Sequence, residues 1–131
     1  MSKIIEIIEG LEDVISLVPA TKEDVERVEQ ELDLVLADEY KEYLYQYGAV
    51  LTDEVELTGI AKSKSRDVVS VTKREWELNP SVAHNLYVVE NLGIDGMIIW
   101  QDQEGKIYES VPNKEVVCIA QSLAEYMLSK Q

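Results

Sequence analysis

The stretches PATKEDVERVEQEL (residues 19–32) and ADEYKEYLYQYG (residues 37–48) decide the fold, because each has the periodicity of an amphipathic helix. In the first stretch, Thr21 and Asp24 have the spacing of a capping box, in which the hydroxyl accepts a hydrogen bond from a free backbone N–H. Apolar residues follow at helical spacing: Val25, Val28 and Leu32. The first stretch therefore predicts a capped helix with one buried face.

The second stretch places four apolar or aromatic side chains on one helical face: Tyr40, Tyr43, Leu44 and Tyr47. Tyr45 projects from another face. A row of tyrosines can bind a partner, but packing in the core with hydroxyls at the rim is the commoner arrangement, and we expect it here. Gly48 is expected to end this helix in the left-handed conformation.

The period of the sequence changes on either side of these helices. Isoleucine and leucine at helical spacing predict an earlier helix over residues 3–17, which ends before Pro19. After Gly48, alternating and apolar runs predict strands at residues 55–60, 86–90, 97–101, 106–109 and 115–119. Residues 67–78 are ambiguous and compatible with a helix, and apolar spacing indicates a closing helix over residues 120–128.

Short turns join the later strands, with residues 93–96 as one linker and residues 102–105 as a hairpin turn. Strands connected in this way pair in antiparallel fashion. The expected fold class is α+β: a mostly antiparallel sheet with N-terminal helices and one C-terminal helix packed around it. We expect residues 1–131 to form a single domain.

The chain is strongly acidic and its charge is uneven. It has 26 Asp and Glu against 12 Lys and Arg, a net charge of −14, and residues 1–60 hold 16 of the acids but only 4 of the bases. Such a chain repels nucleic acids and anionic membranes and is attracted to basic proteins. Acidity can also serve solubility alone, but solubility does not require asymmetry.

The chain offers few residues of the kinds that reactive sites use. His84 is the only histidine, and Cys118, within an apolar run, is the only cysteine, for which we expect a small buried thiol. Phosphate-binding glycine patterns are missing, and we expect no cofactor, metal or catalytic residue. Carboxylate pairs are abundant, which leaves an acid–base hydrolase as an open alternative.

The N-terminus lacks the apolar core of a signal peptide, and no run approaches the roughly 20 apolar residues of a membrane span. The cytoplasm is therefore the expected location.

Candidate partner contacts are acids at predicted strand ends and turns, because these positions avoid the core. They are Asp53, Glu54, Glu56, Asp102 and Glu104. Trp76 is a candidate aromatic anchor, since tryptophan is enriched at binding hot spots, whereas Trp100 ends an apolar strand and is assigned to the core.

The order of the motifs resembles the SUKH superfamily, which includes bacterial immunity proteins and the fungal Smi/Knr cell-wall regulators. The resemblance begins with residues 19–32 and 36–48 and continues through residues 57–60, 86–93, 105–109 and 119–126. Ala37 and Ala49 depart from the family pattern, which often has proline at the first position and a second glycine at the other.

The resemblance implies an α+β domain that binds proteins without catalysis. In bacteria, the typical member is an immunity protein, or antitoxin, that neutralises the toxin domain encoded beside it, often a nuclease. The resemblance thus implies a cognate toxin protein as the partner, and the acidic charge of the chain favours a cationic nuclease domain as that toxin. A regulatory scaffold like the fungal members is the alternative.

Overall fold

The computed structural model describes residues 3–53, 55–92 and 96–129 of the chain. Helices and strands follow in this order: α1 (Lys3–Glu9), β1 (Ile15–Ser16), α2 (Lys22–Leu32), α3 (Asp38–Tyr47), β2 (Val50–Leu51), α4 (Val68–Leu78), β3 (Tyr87–Asn91), β4 (Ile98–Gln101), β5 (Ile107–Ser110), β6 (Val117–Ala120) and α5 (Leu123–Ser129). None of the helices in these ranges has the length and apolar character needed to cross a membrane.

The last four strands form an antiparallel sheet in the order β3-β4-β5-β6, so each strand pairs with its neighbour in sequence. A bulge at Val89 shifts the register of β3 against β4. Strands β1 and β2 form a separate antiparallel pair. These sheets, with helices at both ends of the chain, confirm the predicted α+β fold class. The predicted linker at residues 93–96 lies mostly outside the described residues.

The core occupies both faces of the four-stranded sheet. On one face, Val89 and Ile99 pack in a single cluster with the apolar sides of α1, α2, α3 and α5. Because successive side chains of a strand point to opposite faces, Val88 and Trp100 lie on the other face, in a smaller cluster with Val71 of α4. Trp100 is therefore in the core, as predicted.

The capping box at the start of α2 is confirmed. The hydroxyl of Thr21 accepts a hydrogen bond from the Asp24 N–H (3.1 Å), and the Asp24 carboxylate accepts one from the Thr21 N–H (2.9 Å). The bond from the Thr21 backbone is the largest cause that lowers the pKa of Asp24. The predicted apolar stripe of this helix is buried.

The tyrosine face of α3 packs in the core, as expected, and its hydroxyls bind backbone groups. Tyr43 donates to the carbonyl of Thr58 (2.7 Å) and accepts from the N–H of Val50 (2.9 Å). The hydroxyl of Thr58 donates its hydrogen to the carbonyl of Val88. In its bond with Tyr40 (2.8 Å) the Thr58 hydroxyl is therefore the acceptor, and the Tyr40 hydroxyl is the donor. Burial raises the pKa of both tyrosines, which keeps them protonated as donors.

The first helix is shorter than predicted, and the helix expected over residues 10–17 is wrong. α1 ends at Glu9, and Asp13 has a φ of 52°, which interrupts any helix. Residues 15–16 pair with β2 instead and thereby satisfy backbone groups that a helix would otherwise use. Gly10 also disfavours a helix interior by about 1 kcal/mol relative to alanine.

In two other segments, the sequence alone did not determine the secondary structure. Residues 55–60 run extended but form only isolated bridges, at Glu56, Leu57 and Gly59, rather than the predicted strand. The ambiguous residues 67–78 resolve into α4, which Asp67 caps by accepting a hydrogen bond from the Ser70 N–H (3.2 Å).

The prediction of a buried Cys118 thiol is wrong, because Cys118 is exposed. It lies in β6, the last strand of the sheet, where Val117 and Ile119 are exposed as well. An edge strand has a neighbour on one side only, so an apolar run there does not ensure burial.

Gly48 ends α3 with a positive φ of 73°, but the following hydrogen bond, from Ala49 N–H to the Tyr47 carbonyl, is that of a γ-turn rather than of the predicted left-handed cap. The carbonyl of Gly48 accepts a hydrogen bond from the N–H of Ile60 (2.9 Å). A Cβ on Gly59 would lie 2.0 Å from that same carbonyl oxygen. The backbones of residues 48 and 59 thus touch, and the contact leaves no room for a side chain.

We predict that Gly59→Ala lowers the free energy of unfolding by about 1–3 kcal/mol or more, because the added methyl overlaps backbone that cannot move independently. Gly10→Ala is the control, since its Cβ would meet nothing closer than 3.5 Å. Urea denaturation of both variants measures the difference. Equal stability of the two variants would contradict the contact.

Candidate partner-binding site

The predicted contact residues do not form one cluster. The β4–β5 hairpin carries Asp102 and Glu104 at the end of the sheet where β4 pairs with Tyr87. Glu56 lies at the opposite end, where its N–H donates to the carboxylate of Glu90 (3.3 Å). Residues 87 and 90 are three positions apart in an extended strand, a separation of about 10 Å.

Asp53 lies with two acids that the sequence reasoning did not single out. Glu12 and Asp13 line the same surface cavity, of about 370 Å³, and all three side chains are exposed. The left-handed conformation of Asp13 brings the turn after α1 to this position. Glu54, the neighbouring predicted contact, lies outside the described residues.

Glu56 is exposed, but it is engaged with a cation of the same chain. Its Oε1 is 2.9 Å from Nε of Arg66. A cationic partner that uses Glu56 would therefore compete with Arg66.

Asp102 shapes the hairpin from within. Its Oδ1 accepts hydrogen bonds from the N–H groups of Glu104 (2.9 Å) and Lys106 (3.0 Å), and its Oδ2 accepts one from the hydroxyl of Tyr108 (2.9 Å). The bond to the Asp102 carboxylate, followed by burial, raises the pKa of Tyr108 to about 12. Asp102 thus positions the turn, and Glu104 is its exposed carboxylate.

Glu39 holds the base of this hairpin to two helices. Its Oε1 accepts hydrogen bonds from Nε2 of Gln101 (2.9 Å) and the N–H of Leu123 (2.7 Å), and its Oε2 accepts one from the N–H of Ala124 (3.0 Å). The first turn of α3, the end of β4 and the start of α5 therefore meet at one carboxylate. Sequence reasoning missed Glu39 because its partners are 62 to 85 residues away.

Exposed carboxylates surround this junction, and we call them the acidic end of the sheet. They are Asp38 and Glu42 of α3, Glu104 of the hairpin and Glu125 of α5. None of the four forms an ion pair within the part of the chain that the structure describes. Lys106 is the one cation of the hairpin sequence 101–110, so an excess of negative charge remains.

α2 presents a second acidic surface. Glu26, Glu29 and Asp33 line a shallow cavity of about 400 Å³ together with Leu34 and the exposed Val35. Their helical spacing is visible in the sequence, but an acidic helix face is also what an ordinary solvated helix presents, so the spacing alone does not indicate a partner surface.

The cations of α2 and α3 neutralise only part of this charge. Lys22 and Arg27 pair with Glu26 and Glu31 one turn away on α2, and Lys41 pairs with Glu29. Three of the four bases of residues 1–60 are thus already engaged, against 16 acids.

Trp76 is only partly available to a partner. Its indole N–H donates to the carbonyl of Leu86 (3.0 Å), and its ring stacks on His84 with centroids 4.3 Å apart. His84 itself is exposed. The stack covers one face of the indole, so an anchoring role would use the remaining edge.

Within the described ranges, no group of three or more His, Cys, Asp or Glu side chains is arranged to hold a metal ion. The family model SUKH_5, described as SMI1-KNR4 cell-wall, matches residues 1–130. The chain belongs to this family. The match covers both acidic surfaces and the whole four-stranded sheet.

A solved structure supports the fold of this SUKH_5 member. A protein from Pseudomonas syringae pv. tomato superposes with a TM-score of 0.72 over 93% of each chain, at 18% sequence identity. Such a likeness concerns the fold alone. No curated protein matches the sequence.

Ala37 shows what one departure from the usual SUKH pattern does in this chain. It precedes α3 with a φ of −64°, which proline could also adopt. Its N–H, however, donates to the hydroxyl of Tyr87 (3.0 Å), which in turn donates to Gln101 (2.8 Å). Proline has no N–H and could not make the first of these bonds.

We predict that Asp102→Asn lowers the pKa of Tyr108 from about 12 toward its ordinary value of 10, since the carboxylate is the largest cause of the shift. The raised pKa stabilises the fold below pH 10, and this contribution is lost as the pH rises through about 12. Absorbance titration at the phenolate band measures the pKa of Tyr108. The variant Tyr108→Phe identifies which part of the titration belongs to this residue.

Glu104→Gln is the matched control, because it removes a charge from the same hairpin without touching the hydroxyl. If Tyr108 has the same pKa in Asp102→Asn as in the unaltered chain, the structural role of Asp102 is contradicted.

Proposed function

We propose that this SUKH_5 member is an immunity protein, an antitoxin that binds a cognate toxin domain and blocks it by protein–protein occlusion. One observation carries the proposal: exposed carboxylates without cationic partners among the described residues concentrate at the acidic end, in a chain of net charge −14. Solubility alone would be served by acids spread evenly over the surface.

A cationic nuclease domain is the toxin class that this surface fits best. A protein that holds nucleic-acid phosphates presents Lys and Arg around its active site. An acidic protein is attracted to such a surface, associates rapidly with it and excludes the substrate. This role requires binding by the chain and no chemistry.

The proposed contacts divide according to how free their charges are. Asp53 and Glu104 are exposed and form no ion pair among the described residues, so they suit direct contact. Glu56 would exchange Arg66 for a partner cation. Asp102 contributes by holding the hairpin that presents Glu104.

A regulatory scaffold is the second candidate, because the family description names the cell wall. Such a scaffold would bind cellular proteins without blocking an enzyme. An affinity purification that returns only the toxin encoded beside the gene would exclude it.

We predict that coexpression of the chain with that neighbouring toxin restores growth and that the two proteins coelute on gel filtration. Glu104→Lys should weaken the complex about tenfold, roughly 1.4 kcal/mol, because it replaces an attraction at the acidic end by a repulsion. Binding is measured by calorimetry on the purified proteins.

Glu77→Lys is the matched control, since Glu77 is also exposed but lies on α4, which packs against the other face of the sheet from α3 and α5. Continued killing with no complex would overturn the proposed function. Equal losses in both variants would show that net charge, rather than the acidic end, determines binding.

A further inference from the structure

Strand β6 is an open edge of the four-stranded sheet. At the other edge, β3 is covered: Val88 N–H donates to the hydroxyl of Thr72 on α4 (3.0 Å), and Thr58 N–H donates to the carbonyl of Val89 (2.9 Å). Within the described residues, β6 pairs with β5 on one side and with no strand on the other. Backbone groups on that outer side can template another strand.

The side chains of β6 do not protect this edge. Val117 is 55% exposed and Ile119 is 41% exposed, and Cys118 between them is exposed as well. Proteins usually guard such an edge with charges or proline within the strand, but residues 116–124 carry no charged side chain. A register shift in the pairing with β5 leaves Ile119 without a direct partner. The edge is therefore apolar and accessible.

Acids outnumber bases around this apolar edge, since residues 104–125 hold four glutamates against two lysines, Lys106 and Lys114. Glu115 lies just before β6, and Glu109 of β5 pairs directly with Val117. Beyond the other end, the Glu125 carboxylate accepts the N–H of Gln121 (2.6 Å). The hairpin with Glu104 also lies there, since a Cβ on Gly105 would be 3.9 Å from the carbonyl of Gln121. An apolar strip with an acidic rim is complementary to an extended segment in which Lys or Arg flanks apolar residues.

The same charges argue against a second copy of this chain as the occupant. Antiparallel pairing of two β6 strands about Cys118 would place Glu115 of one copy opposite Gln121 of the other. Gln121 holds the carboxylate of Glu125, so like charges would meet at both ends of the pair. Two bodies of net charge −14 would repel each other in addition.

We propose that β6 is an acceptor strand, along which the cationic partner adds a strand of its own. Backbone hydrogen bonds would form along the open edge, apolar side chains of the partner would cover Val117 and Ile119, and its cations would face Glu104, Glu115 and Glu125. This inference rests on the proposed function and specifies how the partner of the acidic end is held.

The test uses the full chain and a fluorescent probe peptide, acetyl-Lys-Val-Lys-Ile-Lys-Val-Lys-amide, with a second version whose alternate backbone amides are N-methylated. Cys118, the only thiol, reports on the edge through its rate of reaction with a disulfide reagent. We expect the probe to slow this reaction about fivefold or more and the methylated version to bind about tenfold more weakly.

The decisive variant is Val117→Glu, for which charge and strand addition predict opposite signs. Attraction by charge alone would tighten binding of the cationic probe, whereas loss of the apolar edge weakens it. We expect weaker binding, and unchanged binding in Val18→Glu, which adds the same charge at an exposed site between β1 and α2. Tighter binding in Val117→Glu, or equal binding of both peptides, would overturn the proposal.

The neighbouring toxin separates this inference from the proposed function. If the toxin binds but Cys118 reacts at its free rate, strand addition is wrong and the immunity function stands. If the toxin does not bind, the immunity function fails, and the probe decides whether the edge accepts cationic strands.

Discussion

The structure depends on the need to satisfy buried backbone groups in the extended segment that includes Thr58. This segment has no continuous ladder of strand hydrogen bonds, only isolated bridges, yet Thr58 is buried. A buried polar group left unpaired costs about 1–3 kcal/mol. The hydroxyl of Tyr43 donates the missing bond to the carbonyl of Thr58 and also accepts the N–H of Val50, so one side chain satisfies a backbone group in each of two segments.

This constraint fixes α3 and thereby the surface. With Tyr40 and Tyr43 directed into the core, the carboxylates of Asp38 and Glu42 on the same helix face solvent. Glu39, between the two faces, reaches the end of β4 and the start of α5. The acidic end is therefore a consequence of how α3 is anchored: the residues that satisfy the core and those that present charge alternate along one helix.

Local patterns predicted much of the fold from the sequence. The capping box at Thr21, the buried tyrosine face and the hairpin at residues 102–105 depend on neighbours within one or two turns, and the structure has all three. The prediction of the first helix was wrong beyond Glu9 because residues 15–16 pair with β2, some 35 residues further along the chain. Local periodicity carries no information about such a distant pairing. The prediction that Cys118 is buried was wrong because an apolar strand can have the same sequence pattern in the centre of a sheet and at its edge.

The candidate site was less predictable than the fold. Choosing acids at turns identified Glu104 as an exposed carboxylate, but it could not separate Glu104 from Asp102, whose oxygens are consumed within the hairpin. Glu39 could not be found at all, since its role exists only once three elements meet.

The proposed capture of a cationic protein by this unevenly acidic chain depends on the electrostatic field of the whole surface. The most direct measurement is the association rate of the chain with the proposed cognate toxin, by stopped flow, from about 20 to 300 mM NaCl. The account predicts a decrease of about tenfold or more across that range, and a rate that salt leaves unchanged would contradict it.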